Sequence, residues 1–110
     1  MTVDVIIPVY KPGQEFFTLL DRLESQTVEI HRIYVMNTEE KYFNRLVFGR
    51  KYKENYRNLR IKHISAHEFD HAGTRRRAVE ESSADVFVMM TQDAIPADDH
   101  LIEQLLRPME

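Results

Sequence analysis

Four short apolar runs are spaced along the chain, and each has the length of a β-strand. They cover residues 3–9, 30–36, 59–64 and 86–90. The first and last are rich in β-branched and bulky side chains, which is typical of strands buried on both faces. The third run alternates in polarity and predicts a partly exposed edge strand. Pro8 predicts that the backbone leaves the sheet near the end of the first run, because proline cannot donate a ladder hydrogen bond.

Helical periodicity separates these runs. A helix is predicted from about residue 14 to residues 25–27, and its apolar face consists of Phe16, Leu19, Leu20 and Leu23. Another is predicted over residues 74–83. A last helix is predicted after Asp98, its cap, with an apolar stripe of Leu101, Ile102, Leu105 and Leu106. Strand, helix and strand within the first 36 residues form a βαβ unit, so the strands should be parallel.

The segment 39–58 carries aromatic side chains among basic ones and has no single clear period. Residues 39–63 include eight basic and three acidic residues, a net charge of +5, which leaves −8 for the rest of the chain. Aromatic residues interleaved with basic ones are found on nucleic-acid-binding surfaces. A solvated helix whose aromatic residues pack on the sheet explains the same pattern. We favour that helix, and expect no nucleic-acid partner, because no nucleic-acid-binding motif is present.

The composition is that of one small globular domain, residues 1–110, with 43% hydrophobic and 30% charged residues. The chain has no cysteine, which excludes disulfides and thiolate metal sites and is consistent with a cytoplasmic location. Its apolar runs are too short for a transmembrane helix, and no signal-peptide pattern follows Met1.

Asp93 follows the last predicted strand, and Pro96 prevents that strand from continuing. Open α/β sheets bind ligands at the carboxyl ends of their strands. Mg²⁺ and Mn²⁺ bind carboxylate oxygens and often bridge them to substrate phosphates, so Asp93 is a candidate metal ligand. A turn-forming role alone would also explain an aspartate at this position.

The motif Ala-Gly-Thr-Arg-Arg-Arg over residues 72–77 begins the predicted helix 74–83. A glycine before a helix lets backbone N–H groups approach an anion, and the helix dipole favours a phosphate there. Three arginines in the first turn oppose that dipole, which fits a bound anion; surface salt bridges explain them equally well. His63, His67 and His71 are four residues apart, but a strand and a helix start do not stack them, so no histidine metal site is predicted.

The ends of the predicted strands therefore form a candidate nucleotide-diphosphate pocket, although neither a dinucleotide fingerprint nor a P-loop is present. Three motifs mark it: Val-Ile-Ile-Pro-Val-Tyr-Lys at 5–11, Phe-Asp-His-Ala-Gly-Thr-Arg at 69–75, and Met-Thr-Gln-Asp-Ala-Ile-Pro at 90–96. In this order and spacing they resemble the family 2 glycosyltransferases of GT-A fold. The resemblance is greatest to the rhamnosyltransferase-like branch, which uses dTDP-sugar donors, and it extends over residues 3–106.

The resemblance implies a three-layer, Rossmann-like parallel sheet of order 3-2-1-4, the N-terminal half of a GT-A fold. It assigns Pro8, Val9 and Tyr10 to the base pocket, Asn37 to the base or ribose, Gly73 and Arg75 to the diphosphate, and Asp93 to the metal. The chain departs from the family pattern at four positions. Thr91 and Asn37 stand where the family has carboxylates, Ala72 where this branch has glycine, and Arg76 where it has asparagine.

The implied activity is sugar transfer from a nucleotide sugar, with dTDP-rhamnose as candidate donor, to an acceptor hydroxyl in polysaccharide biosynthesis. In the family the catalytic base and acceptor half follow residue 110, so no catalytic residue is assigned and the chain alone is expected to be inactive. The alternative is a non-catalytic nucleotide-binding or interaction domain of a truncated gene. A receiver domain is disfavoured because no acidic pocket follows the first strand.

A cytoplasmic location is expected for such a protein, and the inner face of the membrane is a candidate site within the cytoplasm. In sheet order 3-2-1-4 the apolar strand 86–90 is an edge strand, and unpaired edge strands template pairing with another chain. We therefore expect a homo-oligomer through this edge, the final helix, or both.

Overall fold

The computed structural model describes residues 2–50, 52–65 and 84–109, together with Gly73, Arg76 and Glu80. Its elements are β1 (Val3–Tyr10), α1 (Glu15–Glu24), β2 (Arg32–Thr38), α2 (Glu40–Val47), α3 (Tyr52–Asn55), β3 (Leu59–Ile64), β4 (Val86–Met89), α4 (Leu101–Leu106) and the 3₁₀ turn Arg107–Met109. Gly73, Arg76 and Glu80 are helical; the rest of the predicted helix 74–83 lies outside the described residues.

The four strands form one parallel sheet in the order β3-β2-β1-β4. Val5 pairs with Ile33 of β2 on one side and with Val88 of β4 on the other, and Ile33 in turn pairs with Leu59 of β3. The α/β class, the parallel pairing and the strand order are therefore confirmed. Within the described part of the chain, no helix is long and apolar enough to cross a membrane.

The limits of β1 and β2 differ from the sequence prediction. β1 does not leave the sheet at Pro8, which pairs with Met36 of β2, and the strand continues to Tyr10. The backbone groups of the even residues of β1 face β4, as the hydrogen bond from the N–H of Met90 to the carbonyl oxygen of Ile6 shows. Because β4 ends at Met89, no strand residue faces the nitrogen of Pro8, and the proline is tolerated. Pro8 therefore needs no ladder donor on that side. Likewise β2 begins and ends two residues later than predicted, because its last residues, 37 and 38, still pair with β3.

The main hydrophobic core lies between one face of the sheet and the helices. The predicted apolar face of α1 is buried there, with Phe17 in addition. The odd residues of β1, Phe43 of α2 and Ile102 of α4 complete this core. On the other face, Ile6, Tyr34 and Met36 form a smaller buried cluster. Alternation of side chains along each strand separates the two clusters.

The aromatic residues of the segment 39–58 divide between core and surface. Phe43 is fully buried and Tyr56 is 8% exposed, so packing on the sheet explains these two. Phe48, in the loop between α2 and α3, is 89% exposed, so the prediction that the aromatic residues of this segment pack on the sheet is wrong for Phe48. The segment forms two short helices rather than one because Gly49, with a φ of 74°, breaks the helical path.

The end of the described chain is docked on α1 through the side chain of Gln26. Its Nε2 donates to the carbonyl oxygens of Arg22 at 3.0 Å and Asp98 at 2.9 Å, and its Oε1 accepts from the N–H of Ile102 at 3.0 Å. Gln26 thus caps α4, whereas the predicted cap, Asp98, accepts from the N–H of His100, before the helix.

The apolar stripe predicted for the last helix is only partly buried. Ile102 and Leu106 are in the core, Leu101 packs against it, and Leu105 is 49% exposed. The predicted burial is therefore confirmed for Ile102 and Leu106 and wrong for Leu105.

A hydrogen bond between Tyr56 and α1 predicts alkaline sensitivity. The Tyr56 hydroxyl donates to Asp21, and burial together with this bond raises the pKa of the phenol above its usual value. The folded protein therefore holds this proton more tightly than the unfolded chain, and the stabilisation is lost as the pH rises above about 10. We expect the free energy of unfolding of Tyr56→Phe to fall less between pH 8 and pH 11 than that of the wild type in urea titrations. Equal losses would contradict this assignment.

Candidate functional site

The carboxyl ends of β1 and β2 and the loop after β4 meet at one edge of the sheet. Val9 pairs with Asn37 at this edge, so two of the predicted base-pocket positions are adjacent. The N–H of Tyr10 donates to Oε1 of Gln92 at 2.7 Å, which ties the loop after β4 to the end of β1. The sequence reasoning named Pro8, Val9, Tyr10 and Asn37, and the structure brings them together.

Aromatic and cationic side chains cluster at the end of β1. The rings of Tyr10 and Tyr42 meet edge to face, with centroids 5.8 Å apart. The Lys11 ammonium lies 5.3 Å from the centroid of Tyr10 and 5.0 Å from that of Tyr42, and the Lys41 ammonium lies 5.1 Å from Tyr42. Tyr10 is 49% exposed, so its ring can offer an apolar surface to a base while the ammonium groups attract phosphate.

Asn37 is fully buried at the end of β2. Its Nδ2 lies 3.2 Å from the carbonyl oxygen of Glu39 and 3.0 Å from Nδ1 of His63, which comes from β3. Its Oδ1 and the hydroxyl of Thr38 are buried and have no hydrogen-bond partner in the part of the chain that the structure describes. A buried acceptor without a donor costs about 1–3 kcal/mol, so such atoms are few in a folded protein; Asn58 Oδ1, at the amino end of the sheet, is another among the described residues.

Asp93 is exposed in the loop after β4, and its Oδ1 accepts from the hydroxyl of Thr91 at 2.9 Å. Thr91 thus orients the carboxylate of Asp93. No group of three or more acidic or histidine side chains able to hold a metal occurs among the described residues. One carboxylate suits a cation bound jointly with a diphosphate, since Mg²⁺ commonly takes one or two carboxylates with substrate oxygens and water. It does not suit a metal site made by protein alone.

The predicted diphosphate contacts are only partly described. Gly73 is helical and half-buried, and Arg75 lies outside the described residues. The assignment of both to the diphosphate stays a prediction. His63 is described in a strand, as expected, whereas His67 and His71 are not described.

Four residues of this edge were missed or undervalued in the sequence. Lys11, Tyr42, Gln92 and His63 each contact a predicted site residue. Gln92 could have been found, because it lies within the motif that carries Asp93. Tyr42 and His63 had no such signal, since their partners are 32 and 26 residues away along the chain.

A wide cavity at the opposite, amino end of the sheet is a poorer candidate. It is bounded by Ile30 and His31 together with the acidic side chains of Glu24, Glu29 and Glu54. Burial and the neighbouring Asp21 raise the pKa of Glu24. Three glutamates against one arginine, Arg57, disfavour phosphate in this cavity, and parallel sheets bind ligands at their carboxyl ends. The edge formed by β1, β2 and the loop after β4 is therefore the candidate site.

Solved structures share this fold. Residues 1–349 of S. aureus TarS superpose with a TM-score of 0.71 at 15% identity, over 97% of this chain and 32% of that one. The same protein in complex with UDP-GlcNAc gives 0.68 at 16%, over 97% and 30%. CMP:2-keto-3-deoxy-manno-octonic acid synthetase complexed with CTP gives 0.68 at 12%, over 99% and 47%. At these identities the likeness concerns the fold alone.

Sequence comparisons give the family. The O-antigen chain rhamnosyltransferase RfbN of Salmonella typhimurium strain LT2 is 33% identical over 107 residues, which are 96% of this chain and 32% of RfbN. The chain thus spans about a third of the length of this curated relative. The profile described as Glycosyl transferase family 2 matches residues 4–110. The chain therefore belongs to glycosyl transferase family 2.

Proposed function

We propose that this chain is the donor-binding part of a glycosyltransferase that moves a sugar from a nucleotide sugar to an acceptor hydroxyl. The observation that carries the proposal is the convergence of Tyr10, Lys11, Asn37 and Asp93 at the carboxyl edge of the sheet. Family membership supports it. The relative named as a rhamnosyltransferase supports rhamnose as the sugar, with dTDP-rhamnose as the proposed donor.

In this proposal the nucleotide lies across the ends of β1 and β2. The base occupies the pocket of Pro8, Val9 and Tyr10 beside Asn37. Lys11 stands close enough to Tyr10 to meet the phosphates of the same nucleotide. Gly73 and Arg75 are proposed to contact the diphosphate.

Asp93, oriented by Thr91, is the residue that would hold a divalent cation together with the diphosphate. Such a cation neutralises the charge that develops on the departing diphosphate. Transfer in inverting enzymes also needs a carboxylate base, and no residue of this chain is assigned that role.

Titration with nucleotides tests the proposal. The thymidine diphosphate of the proposed donor (TDP) and UDP should bind the wild type. Mg²⁺ or Mn²⁺ should tighten that binding, because Asp93 would hold a cation that the phosphate oxygens can also bind. Asp93→Ala should remove the gain from metal and leave metal-free binding unchanged, since no second carboxylate replaces it at Thr91. Calorimetry with and without metal measures both effects.

Glu29→Ala is the matched control, because Glu29 is an exposed carboxylate at the opposite end of the sheet. It should keep the full metal effect. The proposed function fails if neither TDP nor UDP binds the wild type at millimolar concentration. The assignment of Asp93 fails if its alanine variant retains the metal effect.

We also propose self-association through β4. This strand is at one edge of the sheet, its Met89 side chain is 42% exposed, and the backbone of Phe87 and Met89 faces away from β1. Light scattering at micromolar concentration should report a dimer or larger assembly, and Met89→Lys should shift it towards monomer, because charged edge strands resist pairing. A wild-type monomer under these conditions would contradict the proposal.

A further inference from the structure

We propose that His63 is a positioning residue that fixes the side-chain amide of Asn37 and thereby selects the base of the donor. In this arrangement the amide presents its carbonyl oxygen to the base, and the preferred bases carry an N–H group opposite that oxygen. The inference rests on the proposed function, since it concerns the base of the same nucleotide. It adds a residue from β3 that the motifs of the sequence do not mark.

The contacts of Asn37 determine which way its amide points. The carbonyl oxygen of Glu39, 3.2 Å from Nδ2, can only accept, so the amide nitrogen must face it. The same nitrogen lies 3.0 Å from Nδ1 of His63 and has a second N–H to donate. Nδ1 is therefore the acceptor, and the proton of the neutral imidazole is on Nε2. Both N–H groups of Asn37 are used, and Oδ1 is left for another donor.

Packing holds the imidazole in this position. His63 pairs in register with Asn37 across β2 and β3, and its ring lies edge to face with that of Phe43, with centroids 5.4 Å apart. In the other tautomer the proton is on Nδ1. An imidazole N–H would then face an N–H of the Asn37 amide, and the contact would have two donors and no acceptor. The imidazole and the amide are therefore constrained together.

Oδ1 of Asn37 has the features of a recognition atom. It is buried without a partner among the described residues, and it belongs to the residue paired with Val9 of the proposed base pocket. Uracil and thymine carry a ring N3–H that can donate to it, whereas the N3 of cytosine is itself an acceptor. Because Asn37 has 0% exposure, the atoms that cover Oδ1 must move when a base reaches it, a movement that nucleotide binding has to drive.

Base preference tests the inference directly. TDP, UDP and CDP are titrated calorimetrically into the wild type, His63→Leu and His63→Gln. In the wild type, TDP and UDP should bind at least about tenfold more tightly than CDP, the discrimination expected from leaving a buried acceptor unpaired. His63→Leu removes the acceptor for the second N–H of Nδ2, so the amide is held by its bond to Glu39 alone, and the preference should fall to within about threefold. His63→Gln supplies a new acceptor and should restore the preference.

The nitrogen NMR spectrum of the imidazole provides a second measurement that needs no nucleotide. It should show Nδ1 unprotonated and the proton on Nε2. A proton on Nδ1, equal binding of CDP by the wild type, or an unchanged preference in His63→Leu would overturn the inference while nucleotide binding stands. Absence of binding by all three nucleotides would overturn the proposed function and this inference together.

Discussion

Replacing Phe43 with alanine should lower the free energy of unfolding by about 3–5 kcal/mol, the cost of removing a buried phenylalanine ring. The side chain is fully buried, and its ring contacts those of Phe16, Tyr52 and His63 at centroid distances of 5.4–5.8 Å. This side chain therefore packs α2 against α1, α3 and β3. Since small domains have only about 5–15 kcal/mol of stability, this one change should bring the protein close to unfolding.

Phe48→Ala is the matched control, because Phe48 is the same residue type five positions later and is 89% exposed. Its effect should stay within about 0.5 kcal/mol. Urea denaturation of both variants measures the difference, and Phe43→Leu, which leaves a smaller cavity, should fall between them. Equal effects of the two alanine variants would mean that the segment 39–58 does not pack on the sheet as described.

Replacing Gln26 with leucine should cost about 2–4 kcal/mol, because it removes three hydrogen bonds and leaves two of their partners unpaired. The Gln26 side chain accepts a hydrogen bond from the N–H of Ile102, which is buried at the start of α4. The carbonyl oxygen of Asp98 loses its donor as well, whereas that of Arg22 keeps the Ser25 hydroxyl as a donor. The expected result is loss of the contact between the end of α1 and the start of α4. Hydrogen exchange should show the amide of Ile102 far less protected in the variant.

Ser25→Ala provides the comparison, since the Ser25 hydroxyl also donates to Arg22 O, at 3.1 Å, but at an exposed position. Its loss should cost about 0.5 kcal/mol or less. Gln26→Glu keeps an acceptor for the N–H of Ile102 and loses the donors, so its stability should be intermediate. If Gln26→Leu is no less stable than Ser25→Ala, Gln26 does not carry the contact between the two helices.

The sequence predicted elements well where a local repeat decides them. The buried face of α1 follows a 3.6-residue period over four apolar residues, and β3 has the predicted limits, Leu59–Ile64. The prediction for Pro8 was wrong because the effect of a proline depends on whether a strand faces its nitrogen, which cannot donate. β4 would be that strand, and it ends too early to need the donor. Phe43 and Phe48 have similar surroundings in the sequence, and only the packing of α2 separates a core ring from an exposed one.

In the candidate site, too, the local sequence predicts some features and only the packing of the chain decides others. The apolar runs place Pro8, Asn37 and Asp93 at or after strand ends. These positions come together because the carboxyl ends of parallel strands meet at one edge whatever the intervening loops. The hydrogen bonds from Tyr10 to Gln92 and between Asn37 and His63 join residues 82 and 26 positions apart. No local period or motif encodes such pairs.

By itself, the sequence determined the α/β class and the family of the protein and predicted the edge of the sheet that carries the candidate site, since hydrophobic period and short motifs are local properties. Only the tertiary structure decided which atoms meet there. The register of β2 against β3 brings His63 to Asn37 and leaves Oδ1 without a partner among the described residues. The docking of α4 places the N–H of Ile102 on Gln26. Both depend on how separate elements pack, because a side chain's partners are set by distance in space and not by distance along the chain.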